Sequence, residues 1–279
     1  MSPAPLRAVV LAGGAIKHGG NEAQKAQYLP GIIDGTTQAA LAYAEPQGRF
    51  NLADLTTTAR KDGANYVIDG YKAVVLNGPA ADVFVVSART SGDQRDEEGV
   101  SLFIVPADAT GVSRRDYPTV DGLRASEVTL EGVTVTEDAL MGDQDQGYAI
   151  VEQAIDDGIL AVGAEAVGCM EVLYKDTVEY CKNREQFGQP IGKFQVLQHR
   201  MVDMFMEHEQ SISMTYMATL KLSEDEVTRK KAVSAAKVRI GQGGRFVGQE
   251  AVQIHGGMGM TDELARQGDE AISRSERDK

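Results

Sequence analysis

The chain has 279 residues, enough for one large domain or two ordinary ones around a substantial core. Hydrophobic residues at 42% and charged residues at 25% match soluble globular proteins. A formal net charge of −13 argues against the basic surface that nucleic acid and anionic membranes require, so neither is expected as a partner.

Residues 1–38 read as helical. Their longest apolar run, Ala8 to Ile16, is too short to span a bilayer and is broken by Gly13 and Gly14. No clear small-residue cleavage site follows it, so no secretory signal is expected. Leu29-Pro30 reads as a stop signal, and Asp34-Gly35 follows as a turn.

Residues 39–143 read as short strands. Tyr66-Val67-Ile68 and Ala73-Val74-Val75-Leu76 flank Asp69-Gly70, a pair that tolerates φ > 0, and this predicts a hairpin. Val83 to Val86, Ser101 to Val105, Val128 to Leu130 and Val133 to Val135 follow, separated by turn signals. The pattern predicts an antiparallel barrel or sandwich.

From about residue 147 the apolar period changes from two to about 3.6. Ala149 to Tyr180 predicts one long helix. Phe194, Leu197, Met201, Met204, Phe205, Ile212, Met217 and Leu220 form one apolar stripe on a second, with Glu207, Glu209 and Lys221 off it. Val227 to Ile254 gives a third, rich in alanine and glycine. Short connections between them predict an antiparallel bundle over 144–265, its methionines filling the core. In the tail, 266–279, eight of fourteen residues are charged, and it should be solvated or disordered. The fold class expected is α+β and multidomain.

Cys169 and Cys181 fall on the long helix about 18 Å apart at its usual rise, too far to bridge, so reduced thiols and a cytoplasmic home are expected. His199 and His208 project from opposite helix faces, and no Cys/His cluster has zinc spacing. No metal is expected.

Two segments at helix boundaries stand out. Asn183-Arg184-Glu185-Gln186-Phe187-Gly188-Gln189-Pro190-Ile191-Gly192-Lys193-Phe194-Gln195 resembles the Arg-x-Gln-Phe-Gly-x-Pro-Ile…Phe-Gln signature of acyl-CoA dehydrogenases. Ala251-Val252-Gln253-Ile254-His255-Gly256-Gly257-Met258-Gly259-Met260-Thr261 resembles that family's Gln-x-x-Gly-Gly-x-Gly turn. Upstream, Gly20 to Lys25 with Tyr28-Leu29-Pro30, and Thr57 to Arg60 leading to Gly70-Tyr71-Lys72 and Asn77-Gly78, are similar to the family as well. The likeness covers residues 6 to about 264. It looks most similar to the small-subunit class of heteromeric dehydrogenases acting on dicarboxylyl-CoA (pimeloyl-type) or steroid-type CoA esters.

The resemblance implies FAD as cofactor, an acyl-CoA substrate undergoing α,β-dehydrogenation, and an electron-transfer acceptor. It implies a homo- or hetero-oligomer with another acyl-CoA dehydrogenase subunit, because in the family these segments reach a neighbour's cofactor. It makes 1–38 the final part of an N-terminal helical domain, 39–143 the middle β domain and 144–265 the C-terminal helical domain. The cofactor-binding set it implies is Arg184, Gln186, Phe187, Phe194, Gln195, Gln253, Gly256 and Gly257. The chemistry agrees. Arg184 offers a guanidinium fork to a pyrophosphate, Phe187 a flat wall, Gln186 and Gln195 amide donors, and Gly256-Gly257 a close backbone approach. Taken singly, Arg184 also reads as a helix C-terminal cap and Gly256-Gly257 as a helix end, with His255 a turn residue.

Departures from the pattern bear on activity. The family's Tyr-x-x-Thr-Glu strand is Leu41-Ala42-Tyr43-Ala44-Glu45 here, its Gly-Ser-Asp loop is Arg49-Phe50-Asn51, and its Trp-Ile-Thr-Asn-Gly is Val74-Val75-Leu76-Asn77-Gly78. The reaction needs a carboxylate base. In most relatives it lies in a loop beyond Thr261, and in a few at the position of Gly158; neither is found, so the catalytic residue stays unknown. Asp156, Asp157 and Glu165 are nearby carboxylates that read as a solvated helix face or interface pairing. The alternatives are a non-catalytic partner completing another chain's flavin site, or an inactive truncated product.

Overall fold

The structure is a computed structural model and describes residues 6–261; the charged tail at 266–279 lies outside them. Two compact units divide at Gly158 and Ile159, within the longest helix.

The first unit opens with a π-helical segment, Leu6–Gly13, and a short helix α1, Gly14–Gly19. Helix α2, Glu22–Asp34, starts in a reciprocal cap: Gln24 N donates to Asn21 Oδ1 at 2.9 Å, and Asn21 N to Gln24 Oε1 at 3.0 Å. Through Nε2, Gln24 also donates to the carbonyls of Asp138 and Leu140 at 2.8 and 2.9 Å. One buried amide therefore starts the helix and ties it to the sheet. Leu29-Pro30 does not stop α2. Pro30 lies inside it, and the helix ends only where Gly35 adopts φ 81°. Pro30 removes a single donor, and Ile32, packed with Ala12, Ala15 and Ile16, holds the last turn.

Eight strands follow: β1 Ala39–Ala42, β2 Thr58–Asp62, β3 Asn65–Leu76, β4 Val83–Arg89, β5 Val100–Pro106, β6 Val112–Pro118, β7 Arg124–Thr136 and β8 Leu140–Met141. Their order is β6-β7-β3-β2-β4-β5-β8, with β1 attached to β4. Most pairs are antiparallel as expected, but β1 runs parallel to β4 from Ala39 opposite Val83, and β2 meets β4 in parallel at Thr58 and Arg89. The sheet is mixed.

The hairpin expected at Asp69-Gly70 is absent. Strand β3 runs through it, and the chain reverses instead at Gly63-Ala64, with Asp62 opposite Asn65. Gly70 serves another purpose, since a Cβ there would sit 2.6 Å from Thr57 Cα. Asp69 accepts from Gly132 N at 2.7 Å, where β3 and β7 shift register. Val128 to Leu130 and Val133 to Val135 are two halves of the single strand β7.

Both faces of the sheet's centre are covered, so β4 reads as a continuous apolar run. Phe84 and Val86 join Tyr66, Ile68, Phe103 and Leu130 in one core, while Val83 and Val85 join Leu102, Ile104 and the helical residues Ala12, Ile16 and Val151 in the other.

Helix α3, Gly147–Asn183, leads into the second unit, where α4, Gln195–Lys221, and α5, Glu226–His255, follow. Asp225 caps α5, accepting from Thr228 N at 3.1 Å. The core gathers Met170 and Cys181 of α3, Met204 and Ala218 of α4, and Val233, Ala236, Ile240, Val247 and Ile254 of α5. The expected α4 stripe is only partly buried. Met204 is buried, but Phe205 is 45% and Leu220 78% exposed, and His208 and Ser211 occupy core positions. Cys169 is exposed and Cys181 buried, and both are free thiols. Among the described residues, no helix is long and apolar enough to cross a membrane.

Candidate functional site

The last turn of α3 closes with Arg184 N donating to the Tyr180 carbonyl at 2.8 Å. A two-rung hairpin follows, β9 Glu185–Gln186 and β10 Gln189–Pro190, with Gln186 opposite Gln189. Its turn residues, Phe187 and Gly188, both have positive φ, 54° and 77°. That is the twist a two-residue hairpin prefers, and it holds Phe187 in the left-handed region where few non-glycine residues sit. The Phe187 side chain is 90% exposed, with its ring edge-on to Phe194 at 6.1 Å between centroids. Ile191 N donates to the Arg184 carbonyl at 2.8 Å and shuts the loop. The Arg184 side chain is exposed and makes no capping hydrogen bond or ion pair among the described residues. Its charge is available.

At the end of α5, His255 Nδ1 lies 2.8 Å from the Ala251 carbonyl. Gly256 then takes φ 61° and ψ −137°, a conformation open to glycine. A Cβ at Gly259 would sit 2.7 Å from the Val252 carbonyl oxygen, so this residue packs against the helix it follows. A Cβ at Gly257 would meet nothing within 4 Å. The backbone there is bare and exposed.

These segments share one end of the helical unit. The Tyr180 and His255 rings stack at 4.3 Å between centroids and 34° between planes, joining the end of α3 to the end of α5. Arg200 Nη2 donates to Glu250 Oε1 at 3.0 Å, joining the start of α4 to the same region of α5. Phe194 and Gln195 open α4, and Gln253 is exposed in the last turn of α5. All eight candidate residues therefore lie on segments that meet at this end. The sequence motifs did not reveal Tyr180 as a joint; its place one turn before Arg184 was the available signal.

The first unit places the other positions that departed from the motif. Glu45 and Lys72 form a fully buried pair at 2.7 Å, and Lys72 also donates to Ser87 Oγ at 3.2 Å. Glu45 accepts further from Gln47, from Thr56 N and Oγ1, and from Thr57 N. Burial alone would raise the Glu45 carboxyl, but Lys72 and these donors hold it at about 2. Burial pushes Lys72 down to about 8, against the pull of Glu45. Val74 is 52% exposed at φ 52°, a strained conformation for a β-branched residue. It sits where β3 shifts register between Lys72 and Val75.

At Gly158, a Cβ would lie 2.5 Å from Leu11 Cδ2. Asp157 Oδ2 pairs with His18 Nε2 at 2.8 Å, and Asp156 is buried rather than on a solvated face. Glu165 is exposed, as expected of a solvated helix face. No group of three or more His, Cys, Asp or Glu among the described residues is arranged for a metal.

Comparison with known proteins agrees with both units. Residues 40–133 match the acyl-CoA dehydrogenase middle domain, and residues 145–274 match the acyl-CoA dehydrogenase C-terminal domain. The short-chain specific acyl-CoA dehydrogenase of Megasphaera elsdenii is 32% identical over 248 residues, 88% of this chain and 64% of that protein. The probable acyl-CoA dehydrogenase YngJ of Bacillus subtilis (strain 168) is 31% identical over 92% of this chain and 68% of its own. The solved butyryl-CoA dehydrogenase of Megasphaera elsdenii superposes with a TM-score of 0.87 at 30% identity, over 97% of this chain and 72% of that one. The chain thus spans under two thirds of the length of several curated relatives. With the fold, both domain matches and two motif segments brought to one end of the helical unit, the chain belongs to the acyl-CoA dehydrogenase family.

Proposed function

We propose that this chain is a subunit of an FAD-dependent acyl-CoA dehydrogenase acting on a CoA thioester. The observation that carries the proposal is the convergence, at one end of the helical unit, of the segment bearing the exposed Arg184, unpaired among the described residues, and the bare Gly256-Gly257 backbone. An exposed Arg with no partner among the described residues fits a pyrophosphate, which the guanidinium fork binds through charge-assisted hydrogen bonds. Phe187, with Phe194 edge-on behind it, offers a flat apolar wall to an adenine. Gln186, Gln195 and Gln253 are exposed amides flanking the same ground.

When bound, the flavin supplies a hydride acceptor for the substrate's β carbon. The chain's own residues would hold and orient it. Cofactor segments borne on a unit's exposed end suit an oligomer with a second copy or another dehydrogenase subunit, working with an electron-transfer acceptor. Free Cys169 and Cys181 suit a reducing, cytoplasmic setting. For the acyl group, the Megasphaera elsdenii relative, named as short-chain specific, supports a short chain, while the sequence resemblance supports a dicarboxylyl or steroid-type ester.

A second reading, a non-catalytic partner for another chain's flavin site, is favoured by Leu11 and Val74. Leu11 fills the space that a base at position 158 would need, and strained Val74 stands where relatives carry an aromatic. Anaerobic mixing of the purified chain with butyryl-, octanoyl-, pimeloyl- and steroid-side-chain CoA esters separates the two. Bleaching of the flavin with enoyl-CoA formation supports catalysis. A chain that holds no flavin of its own but restores flavin retention when co-expressed with a second dehydrogenase subunit supports the partner role, and absence of flavin in both settings overturns both readings.

A further inference from the structure

We propose that Tyr180 and His255 are positioning residues for the dinucleotide, a latch that holds the Arg184 loop and the Gly256-Gly257 turn as one surface. This rests on the FAD reading above.

The His255 ring is fixed by its own helix. Because a carbonyl only accepts, the 2.8 Å contact to Ala251 puts the proton on His255 Nδ1 and sets the plane of an imidazole that is 7% exposed. The Tyr180 ring lies against it, 4.3 Å away between centroids and tilted by 34°. The segments leave directly from these two residues. Arg184 N hangs on the Tyr180 carbonyl at 2.8 Å, and Gly256 follows His255 in the chain with φ 61°.

Beyond the stack, little packing reaches the two glycines or the hairpin tip. A Cβ at Gly256 or Gly257 would meet nothing within 4 Å, and Phe187 projects into solvent from a two-rung hairpin. Two short, open segments that moved independently would have to be ordered by the ligand, at a cost in affinity. The stack orders them beforehand. Glu250 ties Arg200 of α4 to α5, whereas Tyr180 ties α3, the helix that leads into Arg184.

The test is titration of the full chain with FAD, followed by flavin fluorescence, with thermal unfolding of each variant measured alongside. An aromatic pair of this kind is worth about 3- to 10-fold in affinity, so Tyr180→Leu and His255→Ala should each weaken binding by about that much. Tyr180→Phe and His255→Phe keep a ring in the stack and should stay within about twofold. The double variant Tyr180→Leu/His255→Ala should be hardly weaker than either single one, since both break the same contact. Lower thermal stability with unchanged FAD affinity would overturn the latch, as would full additivity of the two losses. Tyr180→Phe and His255→Phe failing to preserve affinity would also overturn it. Arg184→Ala in the same series separates the two ideas. If it keeps wild-type affinity the FAD reading itself falls, and if it weakens binding while Tyr180→Leu does not, only the latch falls.

Discussion

Lys72 Nζ and Glu45 Oε1 meet at 2.7 Å with both side chains wholly buried beneath the β3 bulge that carries Val74. The pair is nearly saturated with hydrogen bonds, Glu45 receiving five and Lys72 giving a second to Ser87. A buried pair of this kind is a poor source of net stability but a costly one to break.

Lys72→Met should therefore destabilise the first unit by about 3–5 kcal/mol, because it strands a buried carboxylate. The double variant Glu45→Gln/Lys72→Met should lose much less than the sum of the two single losses. Urea unfolding of the three variants, followed by a probe in the first unit, checks this through the coupling energy.

The same pair sets an acid limit. Burial disfavours the charged Glu45, but Lys72 and the surrounding donors outweigh it, so the folded carboxyl titrates at about 2 instead of 4.5. A depressed carboxyl adds stability that is whole above pH 4.5 and is lost as the pH falls from there through 2. Lys72 contributes a cost instead, one that is relieved at the alkaline end. Its folded value of about 8 lies below 10.5, so the cost of burying its charge fades as the pH rises between them. Glu45→Gln should flatten the acid side of the stability profile measured by urea unfolding.

Val74 offers a stabilising change. Its left-handed backbone costs a β-branched residue roughly 1–2 kcal/mol, and its exposed side chain contributes little packing. Asparagine tolerates this region far better. Val74→Asn should raise the urea midpoint by an amount worth about 0.5–1 kcal/mol, and no gain would show that the bulge holds Val74 by contacts worth as much as the strain.

Much of the chain's plan was legible in its residues. The long apolar period from Ala149 to Tyr180 and from Val227 to Ile254 gave α3 and α5 because their buried faces recur at helical spacing. The β domain was readable as strands but not as a topology. Asp69-Gly70 looked like a turn because local propensity cannot see that Thr57 presses on Gly70 from another segment. Proline failed as a stop at Pro30 because tertiary packing of Ile32 outweighs one missing donor. His208 entered the core of α4 beside Tyr174, at 5.1 Å between ring centroids, where the stripe had placed only aliphatic and aromatic residues. At the site, the motifs identified the segments, but the stack between Tyr180 and His255 depends on helix packing that no local pattern records.

The glycines of the turn have different duties, and substitution should separate them. Gly257→Ala meets open space, so stability should hold, while FAD binding falls about tenfold or more if the cofactor approaches that backbone. Gly259→Ala forces a Cβ to 2.7 Å from the Val252 carbonyl oxygen and should lower both stability and binding. Thermal unfolding and FAD titration on each variant check the split. Unchanged FAD affinity in Gly257→Ala would remove that backbone from the site.

Photolabelling with an azido-adenine analogue of FAD, mapped by peptide mass spectrometry, tests most directly the claim that this end of the helical unit holds the dinucleotide. Labels are expected on peptides spanning Arg184 to Gln195 and Gln253 to Met260, and excess FAD should suppress them. Saturable labelling confined to other segments, or labelling that FAD does not suppress, would contradict the account.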